Sequence, residues 1–326
     1  MFAKTKRPNT KMRRLLSVLG ASALAVGILG AAGQAVAVYP ERPIRLVVPY
    51  PPGGGASLHA GVIATVAEPY LGQPLIMTIR VGGGGIKAAE WVTKQPADGY
   101  TVLLGDITIN SLRPLVEKVP FKSSDFTPIG RITLDPMVFV GAKNAPFNTA
   151  KEMVGYAKKN PGKLVYSSDN VNGWTYVAFK ALKKITGTNM RGIEFGGGGP
   201  AVANVLGGHT MAYAGAPAVV GPHIKSGALK PICTGSTKRA STLPDVPTCA
   251  EEGFPVQWEV WLGLFVHKDT PAPIVAHLRK GFEGTLHDKG MKRLIKKISS
   301  KINHIEGSAW EKVLAEEQER LKKIYE

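Results

Sequence analysis

Beyond residue 43, short apolar runs with the β-branched content of strands alternate with longer helix-like stretches. The strand candidates are IRLVVPY (44–50), LIMTIR (75–80), TVLLG (101–105), MVFVGAK (137–143), LVYSS (164–168), RGIEF (191–195), MAYAG (211–215), LKPICTG (229–235) and WLGLFVHK (261–268). Between them lie SLHAGVIATVAEPYLG, IKAAEWVTKQ, TAKEMVGYAKKNPG, GWTYVAFKALKKITG and GPAVANVLGG, with a helical set at the C-terminus. Such alternation predicts an α/β architecture built on parallel sheets. The unbroken apolar character of LVV and TVLL suits strands covered on both faces.

Helix ends agree with this reading. Gly72, Asn160-Pro161-Gly162, Gly187 and Gly207-Gly208 each close a helix candidate, where a left-handed residue is commonly required. Thr149 is placed to cap AKEMVGYAKKN, with Glu152 as its capping-box partner. The last segment brings Trp310, Val313, Leu314, Leu321 and Ile324 near one face and predicts a terminal helix docked on a lobe.

The N-terminus follows a different pattern. Lys4, Lys6, Arg7, Lys11, Arg13 and Arg14 precede the apolar run LLSVLGASALAVGILGAAG and then Ala35-Val36-Ala37, with no acid before Glu41. A basic start, an apolar middle and an A-x-A end make a secretory signal peptide over residues 1–37, and hence an exported, periplasmic chain. About 290 residues remain, which favours two lobes over one core. With no low-complexity linker, the chain must cross between lobes in ordered strands. MVFVGAK and WLGLFVHK are the candidates, flanking a central segment of about 115 residues. The expected division is lobe 1 over 38–141, lobe 2 over 142–260, and a return to lobe 1 over 261–326.

Charge adds little. Without the six leader cations the formal +17 falls to +11, but the remaining charges are scattered and read as solvated helix faces. No nucleic-acid partner is expected. The seven histidines are dispersed and none forms an H-x-x-x-H pair, so neither a metal nor a cofactor is expected. Cys233 and Cys249 are either a disulfide, in keeping with an oxidising compartment, or two small buried hydrophobes.

Candidate chemistry lies in the glycines. Gly53 to Gly55, Gly82 to Gly85 and Gly196 to Gly199 each follow a strand candidate and precede a helix candidate. That is where open α/β sheets bind ligands. Glycine lets backbone N–H groups converge on a ligand, and the following helix adds the positive end of its dipole, which suits carboxylates. A fourth junction, SSDNVNG (167–173), carries hydroxyls and amides instead. Gly83, Gly85 and Ala88 fit a loose G-x-G-x-x-A, but the third cluster does not repeat it and no G-K-[ST] follows any cluster.

Several stretches together carry a resemblance: YPERPIRLVVPYPPGGG, LGQPLIMTIRVGGGG, ADGYTVLLG, NPGKLVYSS, VLGGHTMAYAG with HIKSGALKPIC, and LPDVPTCAEEGF. From Tyr39 nearly to the C-terminus the chain resembles the extracytoplasmic binding proteins of tripartite tricarboxylate transporters, the Bug family. The resemblance implies a two-lobed periplasmic-binding-protein type II fold, a Venus flytrap of mostly parallel sheets with crossover strands. It also implies a monomer that captures a small organic carboxylate and delivers it to membrane permease subunits, without chemical change. On this resemblance Pro52, Gly53, Gly54 and Gly55 cradle one carboxylate, with Gly82, Gly83, Gly84 and Gly85 beside it. Ser168, Asn170 and Asn172 reach from the second lobe, and Gly197, Gly198, Gly199 and Pro200 close the far side. The chain also departs from the family pattern. Ser57 stands where an acid is usual, Gly61 where an arginine is common, and Asp106 where small hydroxyl residues often follow the LLG strand.

Some positions keep two readings. Asp106 either faces a donor on the ligand or is a structural cap, with the cap preferred, because a carboxylate repels a second anion. His59 reads as structural before ligand-facing, Trp174 equally as core or as a wall for an apolar ligand, and Tyr50 as a flank of the cleft. Two other functions stand beside the receptor. One is a ligand-sensing adaptor for a signalling system. The other is an exported hydrolase, which the missing G-x-S-x-G elbow disfavours.

Overall fold

The computed structural model describes residues 39–325, so the leader pattern over 1–37 lies outside the described residues. The chain first runs β1 (Ile44–Val48), α1 (Gly55–Val66), β2 (Leu75–Ile79), α2 (Ile86–Thr93), β3 (Thr101–Asp106) and β4 (Phe126–Pro136). It continues through β5 (Val138–Ala142), α3 (Ala150–Lys159), β6 (Val165–Ser168), α4 (Trp174–Thr186), β7 (Arg191–Glu194), α5 (Gly198–Leu206), β8 (Ala212–Gly215), α6 (Pro217–Lys225) and β9 (Leu229–Thr234). It ends with β10 (Glu259–His267), α7 (Ala272–His287), α8 (Lys289–Lys297), β11 (Ile302–Glu306) and α9 (Gly307–Tyr325).

Two sheets result. One has the order β11-β4-β10-β3-β1-β2, the other β7-β6-β8-β5-β9. In the first, β1 pairs in parallel with β2 and β3, while β10 runs antiparallel to β3 and β4. In the second, β6 is parallel to β7 and β8, while β5 is antiparallel to β8 and β9. The sheets are thus mixed rather than mostly parallel. The strands that lead into and out of the second sheet enter their sheets against the local direction. The fold is two-lobed α/β, one sheet to each lobe.

β1 and β3 are buried almost throughout, as strands covered on both faces must be. Two expected stops, Gly72 and Gly187, hold left-handed φ of 81° and 64°. Thr149 caps α3 by accepting from the Glu152 amide, but the Glu152 carboxylate accepts from Asn148 N at 2.6 Å rather than from Thr149. The terminal helix α9 docks through Trp310. Its ring fills the space left by the missing side chain of Gly263 and meets Trp261 at 4.8 Å and Phe265 at 5.1 Å. Leu321 is buried beside it.

Between the sheets the chain passes twice. MVFVGAK opens on the outbound crossing and forms β5 of the second sheet, while WLGLFVHK forms most of β10 of the first, so the inbound crossing falls just before it. Outbound, Met137 alone separates β4 from β5; inbound, residues 235–258 lead from β9 to β10. The two passages are tied together. Met137 N donates to Trp258 O (3.0 Å), Gly235 N to Met137 O (2.8 Å) and Trp258 N to Gly235 O (2.9 Å). The inbound passage is further stapled by a disulfide, Cys233–Cys249, with both residues fully buried and Cα atoms 4.9 Å apart.

Candidate functional site

The PPGGG turn leaves β1, and its glycines end at the first residue of α1. Gly54 is the N-cap and provides no side-chain cap, so the first amides of α1 have no side-chain acceptor there. In the second lobe, Gly197 plays the same part for α5. These two glycine turns lie backbone against backbone across the lobes. A Cβ on Gly54 would stand 3.5 Å from Gly199 N, and one on Gly199 would collide with the Pro52 carbonyl oxygen. Only glycine at position 199 permits this approach.

Beside that contact lies an interlobe cavity of about 30 Å³, room for a water or two. The first lobe contributes Tyr50, Gly54, Gly55 and Ala56. The second contributes Asp169, Trp174, Gly198, Tyr213, Ala216 and Val219, and Met137 of the outbound crossing completes the wall. Trp174 meets Tyr50 edge-on, with ring centroids 6.4 Å apart, so the indole is a cavity wall. Three buried donors at this junction have no protein partner: Ser168 Oγ, Asn170 Nδ2 and Trp174 Nε1. Leaving such groups unpaired is costly, and of the three, Trp174 Nε1 belongs to a residue that lines the cavity.

The second glycine cluster does something else. Gly82, Gly83, Gly84 and Gly85 have φ of 135°, 57°, 60° and 99°, a run in which every residue favours glycine. The room at Gly84 is filled by the buried guanidinium of Arg113, and Gly85 packs on Ile109 and Pro49. Arg113 donates to Glu117 (2.7 and 3.0 Å) and, across the lobes, to Val171 O (2.7 Å), while its Nε has no partner. Glu117 also accepts from Asn172 Nδ2 at 2.8 Å. Asn172 therefore serves an interlobe latch with Arg113 and Glu117. Both of those latch residues were missed in the sequence, because an Arg–Glu pair at i,i+4 resembles any solvated helix face.

Asp106 is fully buried and caps its own turn. Its carboxylate accepts from Thr108 N (2.7 Å), Thr108 Oγ1 (2.6 Å), Ile109 N (3.0 Å) and Tyr50 OH (2.6 Å). Burial and this acid push the Tyr50 phenol well above its usual pKa. Ser57 is absorbed locally, its hydroxyl donating to Gly54 O at 2.9 Å, and Gly61 faces open space. Pro52, Gly53 and Pro200 are exposed at the rim. Asp169, overlooked between Ser168 and Asn170, is the acid that lines the cavity.

His59 is buried away from the cavity. Its Nδ1 lies 2.7 Å from Gly55 O and its Nε2 2.9 Å from Ser300 Oγ, which stands 2.9 Å from Asp135 Oδ2. Burial lowers His59 to about 4 and raises Asp135 to about 7.

Two α/β lobes joined by a double crossing, with a cavity between them, have the architecture of a solute-binding receptor. Comparison with known proteins places it more closely. The chain matches the tripartite tricarboxylate transporter family receptor (TctC) over residues 60–326, and it belongs to that family. It is 31% identical over 289 residues to Protein BugT of Bordetella pertussis, covering 86% of each chain. It is 29% identical over 310 residues to a UPF0065 protein of Cupriavidus necator, covering 94% of each. Among solved structures, the periplasmic binding protein BugD superposes with a TM-score of 0.84 at 27% identity, over 88% of this chain and 97% of that one. MatC of Rhodopseudomonas palustris, solved with bound malate, shares the fold with a TM-score of 0.83 at 24% identity, over 88% of this chain and 100% of that one.

Proposed function

We propose that this chain is an exported, monomeric receptor that captures a small organic carboxylate between its lobes and hands it to tripartite-type permease subunits. One observation carries the reading. Two helix N-termini with no side-chain cap, α1 and α5, start from glycine turns that meet across the lobes beside a cavity whose wall includes the unpaired Trp174 Nε1. Helix N-termini and freed amides bind anions, and a carboxylate is the anion that relatives support. MatC was solved with malate and another R. palustris protein of this fold with adipate.

Function follows from closure. A ligand that touches both lobes favours the form in which glycine meets glycine and Arg113 reaches Val171, and that closed form is what the permease recognises. A thermal-shift screen of mono-, di- and tricarboxylates tests capture, and at least one acid should raise the melting temperature by several degrees. No shift with any acid would refute it. Edman sequencing of protein recovered from the periplasm tests export, with Val38 expected as the first residue.

A further inference from the structure

Asp169 brings a fixed carboxylate into a cavity whose other walls are neutral. No Lys, Arg or His is among the residues lining it, and Met137, Trp174, Ala216 and Val219 make its apolar part. The carboxylate sits at the start of α4, accepting from Asn170 N (2.9 Å) and Trp174 N (2.8 Å). It packs beneath Gly173, where a Cβ would fall 2.6 Å from Oδ1. Of the three helix N-termini at the junction, α4 therefore already holds an anion, while α1 and α5 lack a side-chain cap. The acid's charge reaches the wall opposite: Tyr213, another lining residue, has its phenol pushed up by burial and by Asp169. Burial raises Asp169 itself to about 6, which leaves it ionised at neutral pH.

We propose that Asp169 is a specificity-determining residue that admits acids with a single carboxylate and a proton-donating group, ammonium or hydroxyl, and rejects dicarboxylates of the same length. This rests on the carboxylate-capture reading above. A ligand carboxylate seated at α1 and α5 leaves the far end of a small ligand against Asp169. There a second carboxylate meets a like charge in a desolvated wall, and a donor meets a ready acceptor. The carbon chain between would run along Met137, Trp174, Ala216 and Val219 once the lobes part, since the present cavity has room for only a water or two. Of the unpaired buried donors, Trp174 Nε1 belongs to a lining residue and remains for a ligand acceptor atom.

Matched series test this: butyrate, 4-hydroxybutyrate, 4-aminobutyrate and succinate, then the six-carbon homologues ending in adipate. Affinities are measured by calorimetry for the wild type and for Asp169→Asn, which keeps an equally good helix cap. The wild type should bind the hydroxy or amino acid at least tenfold more tightly than the diacid. Asp169→Asn should move that ratio toward the diacid by at least tenfold, and the amino and hydroxy arms identify the preferred donor. A wild-type preference for the diacid overturns the proposal, as does a ratio that the substitution moves less than twofold. Should the variant not fold, the wild-type ranking alone decides. If no acid of any series binds, the capture reading fails as well, a result distinct from binding with the wrong preference.

Discussion

The buried His59–Ser300–Asp135 chain predicts an unusual pH response. Gly55 O has no proton to give, so His59 Nδ1 carries one. His59 Nε2 lies 2.9 Å from Ser300 Oγ, and Ser300 Oγ donates to Asp135 Oδ2 at 2.9 Å. Burial disfavours charge on both groups, with His59 lowered to about 4 and Asp135 raised to about 7 against the hydrogen bond from Ser300. Unfolded, the ordinary values are 6.5 and 3.8. Between about pH 4 and about pH 6.5 both states therefore hold one proton on this pair, on Asp135 when folded and on His59 when unfolded, and its slopes cancel. Single substitutions unmask each half. The raised pKa of Asp135 contributes stability that is full below 3.8 and lost as pH rises through 7. Asp135→Asn, whose side-chain carbonyl can accept from Ser300 as the carboxylate does and which does not titrate, escapes that loss. Its unfolding free energy should climb relative to wild type across about three pH units at ~1.4 kcal/mol each, roughly 4 kcal/mol in all. The lowered pKa of His59 makes wild type lose stability as pH falls from 6.5 to about 4. His59→Gln escapes this, so its difference from wild type should fall with rising pH by roughly 3 kcal/mol. Urea unfolding followed by tryptophan fluorescence from about pH 4 to about pH 8 reads both differences. An Asp135→Asn difference flat to within about 1 kcal/mol, or slopes of the same sign for both variants, would refute the protonated acid.

Three further perturbations act on closure and on the staple. Gly199→Ala gains up to about 1 kcal/mol of helix propensity but drives a methyl into the Pro52 carbonyl. The melting temperature without ligand should hold or rise while calorimetric affinity drops at least tenfold; unchanged affinity would show that the glycine contact plays no part in closure. Arg113→Met removes the bond to Val171 O and the partner of Glu117, a loss of about 1.5–3 kcal/mol from the closed form, or about 10- to 100-fold in affinity. Small-angle scattering with saturating ligand should show a larger radius of gyration, and an identical profile would count against the latch. Replacing Cys233 and Cys249 by serine opens a loop with a separation of 16 residues. The cost should be about 3 kcal/mol, seen as a lower thermal midpoint under non-reducing conditions, and an unmoved midpoint would contradict it.

Local pattern carried the sequence a long way. Every strand candidate formed, because each is a short apolar run bounded by turn residues. What escaped detection broke the local rules for nameable reasons. β4 contains Pro128 and Gly130, which spoil its alternation. It is tolerated as a central strand because the pairing with β10 slips register beside Pro128. α6 carries Gly221 and Pro222 inside a nine-residue helix. All three glycine turns were legible as strand-to-helix junctions, and the structure brings the first and third together. The role of the second was not legible, because the guanidinium that fills it arrives from a helix 29 residues further on. The same limit governs the acids. In the sequence, Asp106 drew attention by departing from a known pattern. Only the turn geometry reveals that Asp106 is consumed by its own amides and that Asp169 is the acid left facing the cavity.

The tied crossings have a consequence for how such receptors diversify. All five strands of the second sheet come from residues 138–234, and the chain leaves and returns at Met137 and Trp258, whose backbones are hydrogen-bonded at 3.0 Å. In genetic terms the second lobe is an insertion whose two ends touch, the arrangement in which a segment is most readily exchanged. A recombination that swaps this cassette between paralogues replaces Asp169, Trp174 and Tyr213 in one event and leaves the glycine turn after β1 in place. The glycine turn after β1 is then inherited with the host lobe, and the residues proposed to rank ligands travel separately.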